Sequence, residues 1–159
     1  QGFSKYQQEA EDYLTRLMEG LDYVGVMAIE FFVAKDGLLI NEVAPRVHNS
    51  GHWTQAGAAI SQFELHLRAI CDLPLPSIAQ SGFSVMVNLI GAAFDPRWYA
   101  SMGARIHWYG KEVRPGRKLG HLNFHHSDPK IIAQWLAELP LDERYKDNRE
   151  KALARLSAE

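Results

Sequence analysis

A single cysteine, Cys71, in 159 residues excludes an internal disulfide and points to a reducing compartment, the cytoplasm. It lies in an apolar helical pattern and is expected to be buried. No apolar run approaches the roughly 18 residues of a membrane span, and no basic-then-apolar signal region opens the chain. A net charge of only −2 gives no bulk attraction to nucleic acid or to an anionic membrane, so neither is expected as a partner. Internal repeats and low-complexity tracts are also missing. The opening "QGFSKYQQEA" lacks an initiator Met and enters a helical pattern almost at once, so the chain reads as a piece of a longer one.

What is present suffices for a core, since 47 % of residues are hydrophobic. Residues 4–19 place Tyr6, Ala10, Tyr13, Leu14, Leu17 and Met18 on one helical face, with Ser4 and Gln7 in capping-box spacing and Gly20 as a stop. "YVGVMAIEFFVA" (23–34) and "LLINEV" (38–43) read as strands joined across "KDG"; both faces are apolar, which predicts a sheet covered on both sides. Ser61 and Glu64 open a second helix that Pro74 and Pro76 end. "FSVMVNLIG" (83–91) is a strand. "RIHWYGKEV" (105–113) and "KLGHLNFHH" (118–126) read as a hairpin around "RPG", and Asp128-Pro129 start a helix over "KIIAQWLAEL". From Leu141 the chain is highly charged, as expected of a solvated terminal helix or a frayed end. Trp53, Trp98, Trp108 and Trp135 are expected to anchor the core.

Glu30 interrupts one apolar strand and Glu42 its partner, each costly unless something pairs with it. A three-residue loop Lys35-Asp36-Gly37 would set Ala34 against Leu38 and Glu30 against Glu42; a two-residue loop Asp36-Gly37 would pair Glu30 with Val43 and send Glu42 to the opposite face. Opposed carboxylates repel unless they share a proton or a hard cation, and oxygen-only ligands suit Mg²⁺ carried by a nucleotide. "PRVHNSGHWT" follows directly. Arg46 can grip a phosphate or carboxylate with parallel hydrogen bonds, while His48 and Asn49 can orient a small anion. His48 and His52 have zinc-like spacing for a helix, but Pro45 and Gly51 argue against a helix there. Lys111, Arg114, Arg117 and Lys118 gather at "KEVRPGRK", where spacing alone favours a solvated turn.

From about Tyr13 to His126, carried by "NEVAPRVHNSGHWT", "GHWTQAGAAISQFELHLRAICDLPLP" and "KEVRPGRKLGHLN", the sequence resembles the N5-carboxyaminoimidazole ribonucleotide synthetases of the ATP-grasp superfamily, in their C-terminal half. The resemblance implies an α+β fold: the C-terminal subdomain of an ATP-grasp fold, an antiparallel sheet with helices, over residues 1–76, then a small β-rich C-terminal lobe over 77–140 and a charged tail over 141–159. It implies a ligase of de novo purine biosynthesis that uses ATP and Mg²⁺ to carboxylate aminoimidazole ribonucleotide with bicarbonate through carboxyphosphate. Glu30 and Glu42 then match the metal ligands, which selects the three-residue loop and turns Asn41 to the other face. Arg46, His48 and Asn49 match the catalytic positions around bicarbonate, and Lys111 and Arg117 those that hold the ribonucleotide phosphate. Many ATP-grasp enzymes carry Asn two residues after the second metal-binding Glu; Ala44 stands there, so Asn49 is expected in that role. The family implies a homodimer for a full-length chain and an inactive 159-residue piece. Alternatives are another ATP-grasp ligase or a non-catalytic oligomerisation piece.

Overall fold

A computed structural model describes residues 4–79 and 81–158, except the side chain of Ser4. The Ser4 part of the first capping box therefore lies outside the described residues. The chain forms two compact units, 1–52 with 60–77 and 53–59 with 78–159. Each is α+β with an antiparallel sheet.

In the first unit a 3₁₀ turn, Ser4–Tyr6, leads into helix α1 (Gln7–Gly20), followed by strands β1 (Ala28–Ala34) and β2 (Gly37–Ala44). β1 begins later than its apolar run suggests. Gly25 takes a left-handed φ of 134° and the Val26 amide donates to His66 Nδ1 at 2.9 Å, so residues 23–27 leave the ladder. α1 partly covers one face of the hairpin, with the Tyr13 and Phe31 rings 5.8 Å apart and Leu38 buried, though Val33 and Ile40 on that face stay 49 % exposed. Its Glu9 carboxylate also accepts from the Leu38 amide at 3.1 Å, beside the turn. The other face is open: Phe32 and Leu39 are 61 % and 60 % exposed. The expectation of a sheet covered on both sides is thus corrected. A two-faced apolar strand needs two covering layers, and among the described residues α1 supplies one.

A short helix, α2 (Thr54–Gly57), belongs to the second unit, and α3 (Gln62–Ile70) returns to the first. Ser61 caps α3 by accepting from the Glu64 amide at 3.3 Å, while the Glu64 carboxylate turns to Arg68 one turn on at 2.8 Å. α3 ends at Ile70, ahead of the prolines, where Asp72 adopts φ 52° and the Leu73 amide closes on Arg68 O. Cys71 therefore sits at the helix end and is exposed, correcting its expected burial.

The second unit is a three-stranded sheet in the order β3 (Phe83–Ile90), β5 (Lys118–His126), β4 (Arg105–Trp108), backed by α4 (Pro129–Glu138) and α5 (Lys146–Leu156). Asp128 caps α4 through the Lys130 amide, with Pro129 in its first turn. Leu89, Leu122, Phe124, Ile132 and Leu136 fill the core. Trp98 is buried with them, and Trp108 and Trp135 pack against it. The charged C-terminal stretch is the helix α5, which buries Leu156 in that core. β4 stops at Trp108, so the ladder with β5 ends well before the tip, but "RPG" forms the expected tight turn: the Arg117 amide donates to Arg114 O at 3.2 Å and Gly116 takes φ 71°.

Candidate functional site

The hairpin register decides what the two acids can do. Ala34 pairs with Gly37, so the loop is Lys35-Asp36, neither of the two loops weighed from the sequence. Counting straight back from that loop would set Glu30 against Asn41 and turn Glu42 to the other face. Instead the register shifts between Glu30 and Phe31: Phe31 pairs with Ile40, and Glu30 with Glu42. Asn41 is the extra residue of a β-bulge. The opposed acids follow as expected, though by a different route. Asn41 does not point away; its amide donates to Glu30 Oε2 at 3.4 Å, which corrects its assignment to the opposite face. Bulges re-aim one side chain, and here that side chain joins the acids.

Both carboxylates are about half exposed, Glu30 46 % and Glu42 49 %. His48 Nε2 stands 3.7 Å from Glu30 Oε1, and Arg46 Nη2 stands 3.8 Å from Glu42 Oε1. The Arg46 guanidinium is otherwise outward, with Nη1 on Val47 O at 2.9 Å. Among the described residues no three His, Cys, Asp or Glu side chains converge on a metal position. A cation at Glu30 and Glu42 would therefore take two protein carboxylates and complete its shell from ligand and water oxygens. This donor set fits Mg²⁺, which keeps several waters and binds through one or two carboxylates plus phosphates.

After Ala44 the chain leaves the sheet, and residues 45–52 form a turn ending in a 3₁₀ segment, Asn49–Gly51. His48 is 8 % exposed and caps that segment, Nδ1 accepting from the Ser50 amide at 3.3 Å. The Ser50 hydroxyl also lies 2.9 Å from Nδ1; with the amide donating to Nδ1, the proton of the neutral ring sits on Nε2, the atom facing Glu30. Asn49, half-buried, opens the segment. Gln62, buried at the start of α3, holds the His48 main chain from below. The sequence carried no signal for Gln62 beyond a polar residue directly after a helix cap.

Lys111 and Arg117 lie in the second unit, both exposed on the connection between β4 and β5. Lys111 Nζ and Lys118 Nζ stand 5.2 and 5.8 Å from the centroid of the Tyr109 ring. Burial, and then the charge of Lys111, push the Lys118 amine down to about 8. The Tyr109 hydroxyl is 2.7 Å from His121 Nδ1, and His121 Nε2 is 3.1 Å from Gln55 Oε1. With Gln55 Oε1 accepting, the neutral His121 ring carries its proton on Nε2 and the Tyr109 hydroxyl donates to Nδ1. Arg114 pairs with Glu112 at 2.6 Å.

Residues 2–63 match the ATP-grasp domain family, and residues 84–134 match the phosphoribosylaminoimidazole carboxylase C-terminal domain. The chain is 53 % identical over 155 residues to N5-carboxyaminoimidazole ribonucleotide synthase of Haemophilus influenzae, covering 96 % of this chain and 43 % of that protein. It is similar to the crystal structure of N5-carboxyaminoimidazole ribonucleotide synthetase from Thermus thermophilus, with TM-score 0.75 and 52 % identity over 87 % of this chain and 41 % of that one. A further similar structure is the synthase from Aspergillus clavatus in complex with ADP and 5-aminoimidazole ribonucleotide, with TM-score 0.67 and 35 % identity over 82 % of this chain and 39 % of that one. The chain thus spans about two fifths of the length of its relatives. Joining an ATP-grasp sequence to that C-terminal domain, it belongs to the N5-carboxyaminoimidazole ribonucleotide synthase family of ATP-grasp proteins.

Proposed function

We propose that this chain is the C-terminal part of an ATP-dependent ligase that carboxylates the exocyclic amine of aminoimidazole ribonucleotide with bicarbonate. ATP phosphorylates bicarbonate to carboxyphosphate, and attack by the amine releases phosphate and leaves the N5-carbamate and ADP. The observation that carries the reading is the pairing of Glu30 with Glu42, with His48 Nε2 and the Asn41 amide beside Glu30.

Glu30 and Glu42 are the residues that would hold Mg²⁺, which when bound neutralises charge on the nucleotide phosphates. Asn41 orients the Glu30 carboxylate. Arg46, exposed and only 3.8 Å from Glu42, is able to swing its planar fork onto bicarbonate or the transferred phosphoryl group. His48 offers an Nε2–H donor from a fixed main chain, and Asn49 a carboxamide, to the bicarbonate oxygens. Such groups act by positioning and by stabilising charge on the equatorial oxygens. Lys111 and Arg117 hold the ribonucleotide phosphate, with Lys118 adding a nearby cation.

The reading includes a homodimer of full-length chains in the cytoplasm acting on small molecules. Among the described residues no helix is long and apolar enough to cross a membrane, and the net charge is −2. The test is ADP release by a full-length chain with bicarbonate, with and without aminoimidazole ribonucleotide. Stimulation by the ribonucleotide that Lys111→Ala with Arg117→Ala abolishes is the expected result; no stimulation assigns the ligase a different acceptor.

A further inference from the structure

We propose that Gln62 is a positioning residue that fixes the His48–His52 turn and holds His52 in the tautomer protonated on Nε2, an inference that rests on the carboxylase reading only for its catalytic consequence. Gln62 is the one buried residue of α3, 6 % exposed. A buried carboxamide at a helix start is costly unless its donor and acceptor are both used.

Both are used on one target. Oε1 accepts from the His48 amide at 2.9 Å, and Nε2 donates to the His48 carbonyl at 2.8 Å, so a single side chain pairs with both polar groups of one residue as a neighbouring strand would. This pair of hydrogen bonds fixes which end of the carboxamide is nitrogen, since the reverse orientation would oppose oxygen to oxygen and N–H to N–H. Nε2 also lies 2.6 Å from His52 Nδ1. An amide nitrogen can only donate, so His52 Nδ1 must accept and the proton of the neutral ring resides on Nε2. The Phe63 ring stacks on His52 with centroids 5.4 Å apart, holding the plane of the imidazole. The turn is shaped around this side chain: a Cβ on Gly51 would collide with Gln62 Oε1 and stand 2.7 Å from its Cδ.

His48 Nδ1 is met by the Ser50 amide, which donates to it at 3.3 Å, and by the Ser50 hydroxyl at 2.9 Å. The turn therefore presents both imidazoles with the proton on Nε2, and for His48 that atom faces Glu30 at 3.7 Å. Glutamate at position 62 would still accept from the His48 amide, but it would set a carboxylate oxygen against the His48 carbonyl and offer His52 Nδ1 no donor. Leucine would remove all three bonds. In either variant the turn loses its anchor, and the consequence expected for the reaction is weaker capture of bicarbonate rather than of ATP.

The test is ¹⁵N–¹H correlation of the imidazoles in a full-length chain labelled with ¹⁵N-histidine, for the parent, Gln62→Glu and Gly51→Ala. The parent is expected to show His52 with an accepting Nδ1 and a protonated Nε2. In Gln62→Glu that pattern is expected to give way to a protonated Nδ1, and Gly51→Ala, which pushes Gln62 aside, should produce the same loss. Steady-state rates should show KM for bicarbonate raised at least tenfold in Gln62→Glu, with KM for ATP within twofold. A parent His52 protonated on Nδ1, or an unchanged His52 pattern in both variants, would overturn the proposal. The spectra do not depend on which amine accepts the carboxyl group, so a failed ribonucleotide assay would leave this result standing.

Discussion

Asn41 and Glu30 meet at 3.4 Å across the hairpin because Asn41 is bulged out of the β1–β2 pairing and lies on the acid face. A hydrogen bond to a charged group is worth about 1.5–3 kcal/mol, less where water competes as it does here. Asn41→Ala in a full-length chain is therefore expected to lower kcat by about three- to tenfold, on the order of 1 kcal/mol. Hydrogen exchange across β1 and β2 should show the register retained. Unchanged kcat would make the bulge a feature of the fold alone.

The paired acids should matter little to stability. Both are half exposed, and Glu42 faces another carboxylate, so Glu42→Gln is expected to change unfolding free energy by no more than about 0.5 kcal/mol in urea without added metal. A loss of several kcal/mol would mean that Glu42 serves the fold.

Gly37 is a different case. It takes φ 132°, and a Cβ there would stand 2.9 Å from Glu9 Oε1, the oxygen that accepts from the Leu38 amide. Gly37→Ala is expected to cost about 1–3 kcal/mol, from an unfavourable backbone conformation and a displaced Glu9. Urea denaturation measures it, and Glu9→Gln in the same background should recover little because the backbone strain remains.

Lys118 makes stability depend on pH with a definite sign. Its amine is pushed from 10.5 to about 8 in the fold, first by burial and then by Lys111. Between those values the unfolded chain binds more protons, so this residue's contribution to stability rises with pH. Below about pH 8 the charged amine carries its full penalty. Lys118→Met is thus expected to be more stable than the parent at pH 7, with a gap that narrows between pH 8 and pH 10.5. A gap constant across that range would show that Lys118 is not depressed.

The elements that were readable in the sequence are those whose determinants are local. Ser61 and Asp128 cap α3 and α4 because a side-chain oxygen reaches an amide two or three residues on. The metal-type acid pair was readable as a pair, but not its path. A glycine after Lys35-Asp36 fits several loops, and the bulge at Asn41 depends on cross-strand pairing, which no stretch of sequence contains. Gln62 was invisible for the same reason: its partners are 14 and 10 residues away. Cys71 misled because an apolar neighbourhood is not a buried one when the helix ends there.

The most direct measurement is ADP formation from ATP, Mg²⁺, bicarbonate and aminoimidazole ribonucleotide by a full-length chain and by its Glu30→Ala and Glu42→Ala variants, with the 159-residue chain alone as a further sample. Ribonucleotide-stimulated turnover is expected in the full-length chain, with a loss of at least a hundredfold in either variant. None is expected from the 159-residue chain, whose acid face is open to water. Turnover that survives both substitutions would contradict the assignment of Glu30 and Glu42 as the metal-holding pair.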